Sequence, residues 1–222
     1  MKRMSALLLT LLLAFSLTAC GGTPAQDTPD AGTDTSASTP ADSDTPTADE
    51  PSEPAKDEAG NILVAYFSHT GNTEIIANMI AEQTGGDLFY VETTTVYPEE
   101  YNDLIAQARQ EQDDDARPEL ASSVEDMDAY DTVFIGYPNW WGTMPMTMFT
   151  FLESYDFSGK TVIPFCTHEG SALGSSESDI AELIPDAELL GGLAVRGQTA
   201  QNRQDEAREA VTDWLREGGF IE

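Results

Sequence analysis

Every leucine and phenylalanine of the first sixty residues lies in one block, residues 7–17. From residue 61 onward, apolar runs and helical stripes alternate to the end of the chain. Ile62-Leu63-Val64-Ala65-Tyr66-Phe67 has no polar position at all, the pattern of a strand buried on both faces, as in a parallel sheet. Residues 72–84 place Ile75, Ile76, Met79 and Ile80 on one helical face, and Gly85-Gly86 stops the stripe. Residues 87–91 read as a short second strand. Residues 99–115 read as a polar helix with Tyr101, Leu104, Ile105 and Ala108 along one side. Thr132-Val133-Phe134-Ile135-Gly136-Tyr137 is a third buried strand, followed by a short helix over 145–153 and a fourth strand over 161–166. A helix over 176–183, a short fifth strand over 189–195 and an amphipathic helix over 201–216 complete the series. Strands alternating with helices predict a doubly wound α/β domain with a parallel sheet, and about 160 residues is an ordinary size for one such domain. No internal repeat interrupts it.

The segment before residue 61 has a different character. Lys2 and Arg3 precede the apolar block at 7–17, and about 11 apolar residues are too few to span a bilayer as a helix. Residues 1–19 therefore read as a secretory signal. Leu17-Thr18-Ala19-Cys20 resembles the bacterial lipobox, in which a cysteine becomes a lipidated mature N-terminus; this implies lipidation at Cys20. Residues 21–60 are mostly Thr, Pro, Asp, Ser and Ala, with almost no aliphatic side chains to offset the entropy of ordering. Residues 20–60 are thus expected to form a disordered acidic tether, with a root-mean-square reach of about 35 Å. The expected location is outside the cytoplasmic membrane, anchored by lipid and facing outward. Cys166 is the remaining cysteine, so a lipidated chain has no intramolecular disulfide. It ends an apolar run and reads as a buried structural thiol.

The formal net charge of −30 excludes one class of partner. Residues 61–222 alone carry −23, from thirty acidic against seven basic side chains. Such a field repels nucleic acid and anionic head groups, so no nucleic-acid partner is expected. It suits an electron-transfer partner with a basic face, and equally solubility outside the cell.

Three loops carry the candidate chemistry, each following a predicted strand at the sheet edge where open α/β folds bind ligands. The first is Ser68-His69-Thr70-Gly71-Asn72-Thr73, between the first strand and the first helix. Helix N-terminal amides and the Ser68, Thr70 and Thr73 hydroxyls are donors, and Gly71 lets backbone approach a bound anion. With no lysine and no GxxxxGK[ST] or GxGxxG pattern, the loop suits one terminal phosphate monoester; a capped helix start with surplus threonines is the plainer alternative. The second is Gly136-Tyr137-Pro138-Asn139-Trp140-Trp141-Gly142-Thr143-Met144-Pro145. Two adjacent tryptophans in a loop are costly to expose unless they cover a flat ring, although one of them is expected to pack on the core. The third is Cys166-Thr167-His168-Glu169-Gly170-Ser171-Ala172-Leu173-Gly174-Ser175-Ser176, whose Gly and Ser residues allow backbone amides to reach a ligand. His168 could bond a ring or cap a helix. Glu169 is an unusual charge to place beside a ligand and is expected to face solvent. Two histidines far apart and no CxxC leave no metal constellation, and no GxSxG elbow occurs.

Ser-x-Thr-Gly-Asn-Thr directly after the first strand resembles the phosphate loop of the flavodoxin family, and the likeness spans residues 61–221. It implies a five-stranded parallel sheet in the order 2-1-3-4-5, of the shorter type without a long insertion in the fifth strand. It implies non-covalent FMN, with its 5′-phosphate on Ser68, His69, Thr70, Gly71, Asn72 and Thr73, His69 occupying the variable position. By the same likeness, the flavin ring would lie near Pro138, Asn139, Trp140, Trp141 and Gly142 on one side and Thr167, His168, Glu169, Gly170 and Gly174 on the other. A redox-responsive peptide is implied near Trp141-Gly142-Thr143. No catalytic residue is singled out. Two functions then stand open: an electron carrier drawing on a redox partner protein or membrane electron donor, and an NAD(P)H oxidoreductase acting on quinones or other small acceptors. The absence of an arginine cluster for a nicotinamide phosphate favours the carrier.

Overall fold

The computed structural model describes residues 61–222; the signal, Cys20 and tether expectations fall outside the described residues. Six strands form one sheet: β1 (Ile62–Tyr66), β2 (Asp87–Tyr90), β3 (Thr132–Pro138), β4 (Thr161–His168), β5 (Glu188–Leu189) and β6 (Leu193–Arg196). Every pairing is parallel, in the order β2-β1-β3-β4-β5, with β6 also paired to β4. The helices are α1 (Asn72–Thr84), α2 (Tyr101–Asp113), α3 (Met146–Glu153), α4 (Ser176–Leu183), α5 (Gly197–Asn202) and α6 (Gln204–Glu217). This is the flavodoxin-like order expected, 2-1-3-4-5, with its fifth position in two pieces.

That division corrects the single strand expected over 189–195. Leu190, Gly191 and Gly192 interrupt it. At Gly192 a Cβ would lie 2.9 Å from the Pro164 carbonyl oxygen, so only glycine lets the chain pass that close to β4. The helix expected over 201–216 is also divided. Arg203, at φ −138°, breaks it, and the first piece begins earlier, at Gly197.

The pleat explains the two-layer core. Leu63, Ala65 and Phe67 of the first strand and its end point to one face; Ile62, Val64 and Tyr66 point to the other. The first face buries Val133, Ile135 and Tyr137 of β3 against Leu104 of α2, Met148, Phe151 and Leu152 of α3 and Ile180 of α4. The second buries Phe134, Ile163 and Phe165 against Ile76 and Ile80 of α1, Ala200 of α5 and Val211 and Leu215 of α6. A strand flanked by helices on both faces needs apolar residues at every position, which is why β1 reads as an unbroken run. Gly136 of β3 follows from the same packing: a Cβ there would stand 2.2 Å from the Phe165 ring.

Candidate functional site

The carboxyl ends of β1, β3 and β4 lie side by side, since β1 pairs with β3 and β3 with β4. The order reverses at β1, whose neighbours are β2 and β3, so the three candidate loops meet at a topological switch point. Between them lies a cavity of about 480 Å³. Of the candidate residues, His69, Thr70, Asn72, Pro138, Asn139, Trp140, Trp141, Thr167, His168, Glu169 and Gly170 line it.

Its first wall is the loop from Ser68 to Thr73. Gly71 adopts φ +83°, a left-handed turn that glycine makes without strain, and α1 starts at the next residue. No side chain caps that helix end, so its first-turn amides are left to an incoming acceptor. Two side-chain atoms beside it, Ser68 Oγ and Asn72 Oδ1, are buried without a hydrogen-bond partner. A buried polar atom of this kind costs about 1–3 kcal/mol until a ligand or water pairs with it. Thr73, in contrast, is already committed: its Oγ1 shares a 2.9 Å hydrogen bond with Thr167 Oγ1, tying this loop to the end of β4. Ser68, Gly71 and Thr73 therefore shape the loop from behind, while His69, Thr70 and Asn72 face the cavity.

The second wall is a tight turn. Trp140 and Thr143 exchange both backbone hydrogen bonds, at 2.8 and 3.2 Å, and the central residues Trp141 and Gly142 have φ +54° and +92°. Two positive values in succession are the pattern of a type I′ turn. Glycine is at ease there; tryptophan is not, and its left-handed backbone costs on the order of 1–2 kcal/mol. The two tryptophans part company. Trp140 turns inward, edge-on to Phe67 at 5.4 Å and to Tyr97 at 5.3 Å. Trp141 stays 52% exposed, donates its indole N–H to the Ile105 carbonyl at 3.0 Å and lies under the Arg109 guanidinium. Trp140 thus packs on the core, as expected of one of the two, and both tryptophans border the cavity.

The third wall runs from Thr167 to Ser175 and is bonded to the second. The Ala172 carbonyl accepts from Asn139 Nδ2 at 2.9 Å and from Cys166 Sγ at 3.2 Å. Asn139 Oδ1 in turn accepts the Gly142 N–H at 3.1 Å. The Gly142 carbonyl accepts the Ser175 N–H at 2.8 Å, and Gly174, at φ +62°, passes so close that a Cβ would lie 2.0 Å from that oxygen. Gly142 and Gly174 thus join the two loops rather than line the cavity. Burial pushes the Cys166 thiol up to about 12, so it remains a neutral thiol, as a structural role requires. His168 Nδ1 accepts the Ala172 N–H at 3.1 Å, which leaves the proton on Nε2. Desolvation, with the Arg196 charge nearby, lowers the His168 pKa and keeps the ring neutral.

Glu169 is exposed, as expected, and is also part of the cavity wall. It lines the cavity at the end shared by Thr70, Asn72 and Gly197. Its main chain is held there, the Arg196 guanidinium donating to the Glu169 carbonyl at 3.0 Å. Other wall residues went unread in the sequence. Tyr101, Leu104, Ile105 and Ala108 of α2 contribute an apolar side, and Ser171 and Gly197 close the rest. The α2 stripe carried a visible signal, but an apolar stripe reads first as core; Gly197 carried none.

The flavodoxin family profile matches residues 61–216. Haemophilus influenzae flavodoxin is 29% identical over 161 residues, covering 70% of this chain and 76% of that protein. The chain spans about half the length of the other curated flavodoxins it matches, such as Escherichia coli flavodoxin 1 at 31% identity. A solved Bacteroides uniformis protein, assigned as a flavoprotein, is 34% identical with a TM-score of 0.63, covering 71% of this chain and 98% of that one. A strand order of 2-1-3-4-5, a phosphate-type loop after β1 and a profile match across nearly the whole described domain agree, and the chain belongs to the flavodoxin family.

Proposed function

We propose that the domain binds FMN without a covalent bond and serves as an electron-transfer protein held at the outer side of a membrane. The observation that carries the cofactor is the uncapped helix start after Gly71, on the wall of a cavity that also presents Trp141, with Ser68 Oγ buried and partnerless behind the same loop. Amides and hydroxyls without a lysine or arginine suit a phosphate monoester. His69, Thr70 and the backbone N–H of Asn72 would hold the phosphate end. Trp140, Trp141, Asn139, His168 and Gly170 would surround the ring. Bound there, FMN supplies one- and two-electron redox chemistry. The protein's part is to orient the ring, exclude water with Trp141 and keep His168 neutral with its Nε2–H free to donate.

The carrier reading is supported by what surrounds the cavity. Within 61–222 the seven basic side chains are dispersed, and Arg109, Arg117, Arg203, Arg208 and Arg216 are each engaged with acidic partners. That leaves no cluster to recognise a nicotinamide phosphate. The anchoring reading rests on Cys20 and the residues before it. The purified protein should show the visible absorption of bound FMN and oxidise NADH or NADPH only slowly, with or without a quinone. Rapid turnover would replace the carrier with a reductase. A colourless protein that takes up no added FMN would overturn the cofactor. Cys20→Ser should move the protein from the membrane to the soluble fraction of fractionated cells; a protein still in the membrane would overturn the anchor.

A further inference from the structure

The phosphate end of the cavity holds acceptors as well as donors. Asn72 Nδ2 and Glu169 Oε1 lie 2.5 and 2.7 Å from one point, the position a Cβ on residue 197 would take. Residue 197 is glycine, although its φ is one that any residue can adopt. A side chain at 197 would push the ends of both groups aside, whereas glycine lets the amide and the carboxylate approach each other. The Asn72 amide turns its NH₂ to this side, leaving Oδ1 buried and without a donor. Arg196 holds the backbone of Glu169 and not its carboxylate, so the oxygens remain available. Beside the helix N-terminus, which offers donors, there are therefore two acceptors, Asn72 Oδ1 and the Glu169 carboxylate. A phosphate cannot satisfy them: it brings only acceptors and negative charge. A hydroxyl can, because it donates.

Resting on the FMN reading above, we propose that Glu169 is a specificity-determining residue that accepts a hydrogen bond from a hydroxyl of the flavin's ribityl chain. Donor amides then take the phosphate and the carboxylate takes the polyol next to it. The carboxylate stands close to the phosphate position, so its repulsion is the cost that the hydroxyl contact outweighs. A hydrogen bond to a charged acceptor is worth about ten- to a hundredfold in affinity.

The test is FMN titration of the flavin-stripped full-length protein, followed by quenching of flavin fluorescence, for the wild type, Glu169→Ala and Glu169→Gln. Glu169 is exposed, so both variants should keep the wild-type melting temperature when flavin-free. Glu169→Ala should weaken FMN binding about tenfold or more. Glu169→Gln, which keeps one acceptor oxygen, should lose less. Riboflavin, which has the hydroxyls and no phosphate, should lose by the same factor with Glu169→Ala. Gly197→Ala, whose methyl displaces the carboxylate, should reproduce the loss. Unchanged or tighter FMN binding by both Glu169 variants would overturn the assignment and make the carboxylate a repulsive neighbour of the phosphate. A wild-type protein that binds no FMN would strike the cofactor reading itself, an outcome separate from the behaviour of the variants.

Discussion

At the scale of single residues, His168 shows how one hydrogen bond organises a loop. Its Nδ1 accepts the Ala172 N–H, and the Ala172 carbonyl then holds Asn139 and Cys166. Protonation of Nδ1 would remove that acceptor. The folded-state pKa lies below the ordinary 6.5, because burial and the Arg196 charge disfavour imidazolium. The sign follows: the neutral ring stabilises the fold fully above pH 6.5, and this contribution is lost as the pH falls through the depressed value. Urea unfolding of flavin-free protein between pH 7.5 and 5 should therefore show a decline that His168→Gln, which cannot titrate, shares only in part. Equal declines in both proteins would remove His168 from the account. Gly174 makes a second case. Its φ of +62° and the Gly142 oxygen 2.0 Å from a built Cβ leave no room for alanine. Gly174→Ala should cost about 1–3 kcal/mol in the same experiment and loosen the junction between the second and third walls. A cost within a few tenths of a kcal/mol would show that the junction yields easily.

Among the elements, the turn from Trp140 to Thr143 separates two roles that sequence pattern places side by side. Trp140 packs between Phe67 and Tyr97 against the core and also borders the cavity. Trp141 rests on α2 by one hydrogen bond and a guanidinium contact, and lines the cavity. Trp140→Ala should leave a cavity and cost about 3 kcal/mol in denaturant unfolding. Trp141→Ala should change stability by less than about 1 kcal/mol, since it also relieves a left-handed tryptophan, yet weaken FMN binding in a fluorescence titration. Reversed outcomes would exchange the roles. The alternation of apolar runs and stripes was enough to read α1 and α4 to the residue and to predict a parallel sheet, because both faces of each central strand are buried; the strand order came from the family resemblance of the first loop. It did not reveal the interruption at Leu190-Gly191-Gly192 or the break at Arg203, which depend on how close β4 and its neighbours pass. The loop motifs named most of the cavity wall, because Gly, Thr and Trp carry their chemistry openly. They missed the α2 wall, where an apolar residue on the core and one on a ligand site look alike. They placed Glu169 in solvent, where it stands, but did not show that it also borders the cavity beside Gly197, because nothing local records that neighbour.

For the whole molecule, charge is the dominant long-range term. The described residues 61–222 carry a formal charge of −23, so the domain's long-range field is negative. The ion pairs do little to relieve it: those of Arg109, Arg203 and Arg208 are surface pairs with both partners well exposed, worth at most about 1 kcal/mol each. Trp141 and the cavity mouth lie within this field, so any partner that takes or gives electrons must cross it. Cationic partners are drawn in, anionic ones are turned away, and salt weakens both effects as the Debye length falls from about 30 Å at 0.01 M to about 8 Å at 0.15 M. Stopped-flow oxidation of the reduced, FMN-loaded protein separates these effects. With a small cationic metal complex as acceptor, the second-order rate should fall about tenfold or more between those ionic strengths. With an anionic complex of similar driving force, it should rise. Opposite slopes from one protein would trace the effect to its field and not to the acceptor's chemistry. Parallel slopes would mean that electrons leave by a face on which the acidic surface has no influence.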